Sequence, residues 1–130
     1  MNLNRYTEKA QQAILTAQQT AERQGHPEIL PEHLLQALLT QADGIVPALL
    51  GKMQVNTAAV VGGADALLTA LPKTQGGAQP GLSARLRQVL AAAEQEASAL
   101  KDEYTSTEHL FLALTTETGR APAAKLLTQH

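Results

Sequence analysis

Residues 31–38 read PEHLLQAL and residues 107–114 read TEHLFLAL, which places the shared His at positions 33 and 109, 76 residues apart. With that offset held constant and no gaps, positions 7–40 lie over 83–116, and ten of the 34 pairs are identical. They are Gln12/Gln88, Ala17/Ala93, Gln19/Gln95, Ala21/Ala97, Glu32/Glu108, His33/His109, Leu34/Leu110, Ala37/Ala113, Leu38/Leu114 and Thr40/Thr116. Ala- and Leu-rich composition alone gives about three matches over such a window, so the pattern is read as internal repetition. The expected architecture is all-α: a tandem, pseudo-twofold repeat of two helical bundles with about seven to eight helices, all in one domain over 1–130.

Each half follows the same script. Thr7 and Ser83, equivalent under the offset, suit helix N-caps because their hydroxyls can accept a first-turn amide that has no intrahelical partner. Beyond them, Ala10, Ala13, Ile14, Ala17 and Ala21, and then Leu86, Val89, Leu90, Ala93, Ala97 and Leu100, repeat at helical spacing and mark one apolar stripe per helix. Gly25 suits the end of the first of these helices, whereas Lys101-Asp102 stands at the end of the other, and different capping is expected there. The repeated phrase opens a short helix. Pro31 fits its first turn, Leu34, Leu35, Leu38 and Leu39 face inward, and Glu32 sits at the positive end of the helix dipole.

Repeat one spans 1–70. Asp43-Gly44 breaks the chain before a third helix over 46–52, and Asn56-Thr57 caps a fourth that runs towards Ala70, weakened by Gly62-Gly63. The stretch LPKTQGGAQPGL at 71–82 has the composition of a flexible linker. Repeat two, 83–130, is expected to add a helix over 121–128. It contains no counterpart of the fourth helix before His130, so its last helix is read as truncated.

Composition narrows the chemistry. The chain is 44% hydrophobic but only 2% aromatic, which favours closely packed helices over sheet. Net charge is −2 and the ten Lys and Arg residues are dispersed, so nothing marks a nucleic-acid or anionic-membrane surface. The absence of Cys excludes disulfides and thiolate chemistry and suits a reducing cytoplasm. No apolar run in the sequence has the length of a membrane span. A phosphate-binding G-x-x-x-x-G-K-[ST] loop does not occur, so ATP hydrolysis by that route is not expected here. His33 and His109 form a symmetric metal pair only if the two halves bring them together, and no H-E-x-x-H spacing supports one. Asp102, Glu103 and Glu108 lack the nucleophile and oxyanion donors that an acid/base site requires. A shallow apolar groove is the better candidate for contact with other chains, because a binder of many sequences needs apolar area with a polar rim. Leu86, Leu90 and Leu110, on the fifth and sixth helices, are the candidate lining, with plain core as the alternative.

The start NLNRYTEKAQ, the phrases ILPEHLLQALL and LKDEYTSTEHLFLAL, and the connector LPKTQGG together resemble the N-terminal domain of the Clp family of AAA+ unfoldases, most of all its protein-disaggregase branch. The resemblance covers nearly the whole chain; the Gly62-Gly63 pair is unusual for it. It implies a non-catalytic domain that recognises unfolded or aggregated polypeptide and passes it to a hexameric AAA+ ring, where ATP and magnesium would act. It also implies roles in chaperone activity for the residues here numbered Thr7, Ser83, Asp102 and Glu108. Related Clp protease regulators use such a domain to dock a folded adaptor protein, which is the alternative reading.

Overall fold

The computed structural model describes residues 4–41, 44–71 and 80–116. Within them run the helices α1 (Glu8–Arg23), α2 (Pro31–Thr40), α3 (Ile45–Lys52), α4 (Thr57–Thr69), α5 (Ala84–Ala99) and α6 (Thr107–Thr116). Two-residue strands β1 (Glu28–Ile29) and β2 (Gly81–Leu82) pair in parallel, Glu28 opposite Gly81 and Ile29 opposite Leu82. The expected chain break at Asp43 and the expected helix over 121–128 lie outside the described residues. So does most of the connector, whose last two residues are not loop but β2.

The helix starts follow from local chemistry. Thr7 Oγ1 accepts the Ala10 amide at 3.2 Å and Ser83 Oγ accepts the Leu86 amide at 3.0 Å, so each hydroxyl satisfies one donor of a first turn. Asn56 does the same for α4 through Ala59. The buried stripes then fall where the spacing put them: Ala10, Ala13, Ile14, Ala17 and Ala21 on α1, with Thr20 added, and Leu86, Val89, Leu90, Ala93 and Ala97 on α5. Leu100 departs from the expected stripe. It is the C-cap of α5 and is 60% exposed, because the helix ends one residue before it and the chain turns away.

The helix ends correct a second expectation. Gly25 closes α1 at φ 74°, and Lys101 closes α5 at φ 60°. In both cases the next residue donates back across the last turn, His26 to the Ala21 carbonyl and Asp102 to the Ala97 carbonyl, each at 2.8 Å. The two ends share one left-handed cap although only one carries glycine; backbone hydrogen bonds from Lys101 to Ser98 and from Asp102 to Ala97 hold Lys101 where an L-residue costs about 1–2 kcal/mol.

The two halves exchange their entry segments. The Thr7 amide donates to the Thr105 carbonyl at 2.9 Å, and the Thr105 amide to the Arg5 carbonyl at 2.7 Å. In the other direction the Ser83 amide donates to the Ile29 carbonyl at 3.1 Å, beside the β1–β2 pairing. Positions 7 and 83, and 29 and 105, are equivalents under the 76-residue offset, so each first helix is launched from the loop of the other half. Around this seam α1 packs on α2, α5 on α6, and α2 on α6, with α1 crossing to α6 and α2 to α5. Small side chains permit the approach: Ala10, Ala21, Ala64 and Ala93 are fully buried. Leu34, Leu38, Leu110 and Leu114 fill the centre, each contributing about 1.5–3 kcal/mol by burial.

One charge pair joins the halves. Glu32, buried in the first turn of α2, is held by both terminal nitrogens of Arg85 at 3.2 and 2.8 Å, so it serves as a cross-repeat anchor as well as a dipole partner. α4 runs unbroken through Gly62-Gly63. A Cβ added at Gly62 meets nothing within 4 Å. Gly62→Ala is therefore expected to raise stability by about 0.5–1 kcal/mol. Lys101→Gly should do the same by relieving the left-handed cap. Urea titrations of the two single variants and the double check both values, and unchanged midpoints would contradict the account of these sites.

Candidate functional site

The repeated His builds the start of each short helix. His33 Nδ1 accepts the Leu30 amide and His109 Nδ1 accepts the Ser106 amide, both at 2.8 Å. The His three residues into the phrase thus plays the part that Glu or Gln plays in a capping box. Ser106 completes the reciprocal arm, its Oγ taking the His109 amide at 3.4 Å. With Nδ1 accepting, a neutral ring carries its proton on Nε2. In the first half that nitrogen lies 2.7 Å from His26 Nδ1, both rings being buried; in the second it lies 2.9 Å from Asp102 Oδ2. His26 and Asp102 are themselves equivalents under the offset. Among the described residues no group of three or more His, Asp or Glu is placed to hold a metal ion.

The exchange of His26 for Asp102 accompanies a difference in surface. Next to the first histidine pair, His26, Pro27, Glu28, Leu30 and Leu71 enclose a small cavity of about 180 Å³. At the equivalent place in the second half opens a groove of about 690 Å³. Asp102, Glu103, Tyr104 and Ser106 form one side of it, Glu108, Phe111, Leu112 and Thr115 of α6 the floor, and Leu49 of α3 and Leu100 the flanks. Leu100 is 60%, Tyr104 48% and Leu112 44% exposed. α3 extends the apolar surface, since Ile45, Leu49 and Met53 lie four residues apart on one exposed row. The rim carries three carboxylates, Asp102, Glu103 and Glu108, and the described residues that line it include no Lys or Arg. Such a surface favours ligands that are apolar at the centre and basic at the edge.

The residues expected at a site divide accordingly. Asp102 and Glu108 line the groove. Thr7 and Ser83 are N-caps, and Ser83 is buried. Leu86, Leu90 and Leu110, at 1%, 3% and 0% exposure, belong to the central core, the alternative given for them, and are not among the described lining of this groove. The reason is that their helices turn the apolar stripe inward onto each other. The exposed lining instead comes from residues off that stripe, Leu100, Tyr104 and Leu112. A signal for Leu112 was present in the sequence, because the repeat sets it against Gln36, a polar residue exchanged for a large apolar one.

The Clp repeat (R) N-terminal domain family matches residues 5–130. The chaperone protein ClpB of Mycobacterium bovis is 46% identical over 125 residues, which cover 95% of this chain and 14% of that protein. Among solved structures, the N-terminal domain of the ClpV1 ATPase from E. coli EAEC superposes with a TM-score of 0.85 at 27% identity, over 97% of this chain and 78% of that one. A ClpV N-domain in complex with VipB peptide superposes at 0.78 with 20% identity, over 98% and 81% of the respective chains. The architecture is that of a Clp-type N-terminal domain, the non-catalytic module of Clp ATPases. The chain belongs to the Clp repeat N-terminal domain family, and within it is similar to the N-terminal region of ClpB chaperones. It spans about 14% of the length of the curated relatives it matches.

The buried histidine pair sets a pH dependence. Burial first, and the adjacent His26 second, lower the His33 pKa to about 4. In the unfolded chain a His titrates near 6.5, so between that value and about 4 the unfolded state takes up a proton that folded His33 refuses. The contribution of His33 is therefore complete above about pH 6.5 and is lost on acidification, on the order of 2–3 kcal/mol by pH 4.5. Urea unfolding at pH 7.5, 6.0 and 4.5 should show the decline, and His33→Gln, which can still cap α2, should reduce its slope. An equally steep decline in the variant would remove His33 from the explanation.

Proposed function

We propose that this chain is the substrate-recognition domain of an ATP-dependent protein disaggregase chaperone of the ClpB type, acting in the cytoplasm. On this reading it binds unfolded or aggregated polypeptide weakly in the groove between α3 and α6 and passes it to the AAA+ ring of the same protein. The observation that carries the proposal is the groove itself, with large apolar side chains held exposed above a well-packed core and a carboxylate rim around them. An unfolded chain presents the matching features, apolar side chains without fixed order, and shallow apolar area binds them without demanding one sequence. Peptide capture by the ClpV N-domain, a protein of the same fold, supports the assignment.

The same proposal divides the domain into two copies of one helical unit, 1–70 and 83–130, joined by 71–82, with the second copy carrying the binding surface. Of the four residues that the family resemblance singles out, Asp102 and Glu108 act at the rim, and Thr7 and Ser83 act by fixing the starts of α1 and α5. Among the described residues that line the groove none is basic, and this favours apolar and basic segments of many proteins over an acidic folded adaptor.

The test separates lining from core. Leu112→Ser should leave stability within about 0.5 kcal/mol and weaken binding of a permanently unfolded protein at least tenfold, read by NMR titration of the labelled domain. Leu110→Ala, two residues away, should cost about 2–5 kcal/mol of stability through the cavity it leaves. Shifts with the native counterpart equal to those with the unfolded chain would favour adaptor docking, and no shifts with either would defeat the receptor assignment.

A further inference from the structure

The two histidine corners are wired alike but end differently. A backbone amide can only donate, so the Leu30 N–H fixes His33 Nδ1 as an acceptor, and the ring proton sits on Nε2, aimed at His26 Nδ1 2.7 Å away. Every link of this chain runs one way, from Leu30 through His33 to His26. A further proton on His33 goes to Nδ1 and displaces the Leu30 amide; one on His26 Nδ1 sets two N–H groups against each other. In the second half the chain runs from the Ser106 amide through His109 to Asp102. There a doubly protonated ring keeps a bond at each end, since Ser106 Oγ lies 2.9 Å from Nδ1 and the Asp102 carboxylate accepts from Nε2. In the first half Leu30 stands at the position of Ser106, and its side chain carries no acceptor.

We infer that residues 24–30 form an acid-opened latch between the two halves: protonation of the His26–His33 pair releases this loop and with it the start of α5, while the equivalent loop 100–106 keeps its hold on α1. The effect passes through the backbone. Leu30 loses its bond to the ring, and the residue before it, Ile29, is the one whose carbonyl accepts the Ser83 amide and which pairs with Leu82. α1 is held instead through Thr105, which the first corner does not reach. The charged groups on the surrounding elements are engaged elsewhere or face water. Glu32 of α2 is bound by Arg85 of α5, Asp65 of α4 accepts from Gln36, and His109 of α6 is bonded to Asp102. Glu22 and Arg23 of α1, Glu28 of β1, Lys52 of α3 and Glu108 of α6 are exposed. Burial first, and the second imidazole after it, oppose charge on His33, and opening to water removes both. Between about pH 6.5, where a solvated imidazole titrates, and about 4, the open loop takes up a proton that the closed loop refuses. The open population therefore rises about tenfold for each unit of acidification in that window. The latch is independent of the receptor reading.

Hydrogen exchange of the full chain, followed by NMR at pH 7.0 and 5.0, tests the latch. The rates are expressed as protection factors, so that the intrinsic pH dependence of amide exchange cancels. From the higher pH to the lower, protection of the Leu30 and Ser83 amides should fall at least about tenfold, and that of the Thr7 and Thr105 amides by less than about threefold. An equal fall at all four amides would make the event global unfolding, and constant protection at Ser83 would mean that no latch opens; either result overturns the proposal. Two variants locate the cause. His33→Gln, which can still cap α2 but does not titrate, should abolish the fall at Ser83. Leu30→Ser supplies the acceptor that the second half possesses and should lessen that fall. A loss of Ser83 protection as large as in the unaltered chain, in either variant, would remove the histidine chain from the explanation and overturn the proposal.

Discussion

The structure depends on the reciprocal exchange of backbone hydrogen bonds across its centre. The Thr7 amide reaches the Thr105 carbonyl and the Ser83 amide reaches the Ile29 carbonyl, so each long helix starts against the loop of the opposite half. Those loops are fixed in turn by left-handed caps at Gly25 and Lys101 and by histidines that close the next helix start. Because each amide buried at this seam would cost free energy if left without an acceptor, the halves gain little by folding separately. The Arg85–Glu32 pair and the packing of α2 on α6 reinforce a dependence that the backbone has already established.

A scaffold determined this way leaves freedom at its edges. The turn after each long helix holds its place through backbone groups and a single histidine, so the neighbouring side chains can differ between halves. The first half uses that freedom to close: the His26 ring lies tilted against His33 with centroids 4.9 Å apart, Pro27 and Leu71 line the small cavity beside them, and α4 packs on α2. The second half uses it to open, with Asp102 in place of His26, Glu103 in place of Pro27 and Leu112 in place of Gln36. An apolar surface with an acidic rim is the outcome of these exchanges on an otherwise shared frame.

Much of the fold was legible before any coordinates. The hydroxyls at Thr7 and Ser83, the Ala and Leu stripes of α1, α2 and α5, and Pro31 at a helix start all report local or periodic physics, and periodic physics is written in sequence order. The site was less legible. Leu86, Leu90 and Leu110 look like groove residues only when apolar character is taken as the criterion, and apolar residues in regular helical register are the ones that a core consumes. Leu100 erred the other way, belonging to the stripe by spacing while lying one residue past the helix that would have buried it. The shared cap at Lys101 was hidden because glycine is the usual signature of a left-handed residue, and here backbone hydrogen bonds across the last turn hold that conformation without it.

By itself, then, the sequence determined which of the described segments are helical, where most of them begin, and that two stretches 76 residues apart share one phrase, since capping, propensity and hydrophobic period act within a turn or two of the chain. Only the tertiary structure decided which side of each helix faces water, which carboxylate is bonded from within and which stays open at the rim, and that Leu49, Leu100 and Leu112 line one groove. Those outcomes depend on which helix packs against which, as α4 does against α2 among the described residues.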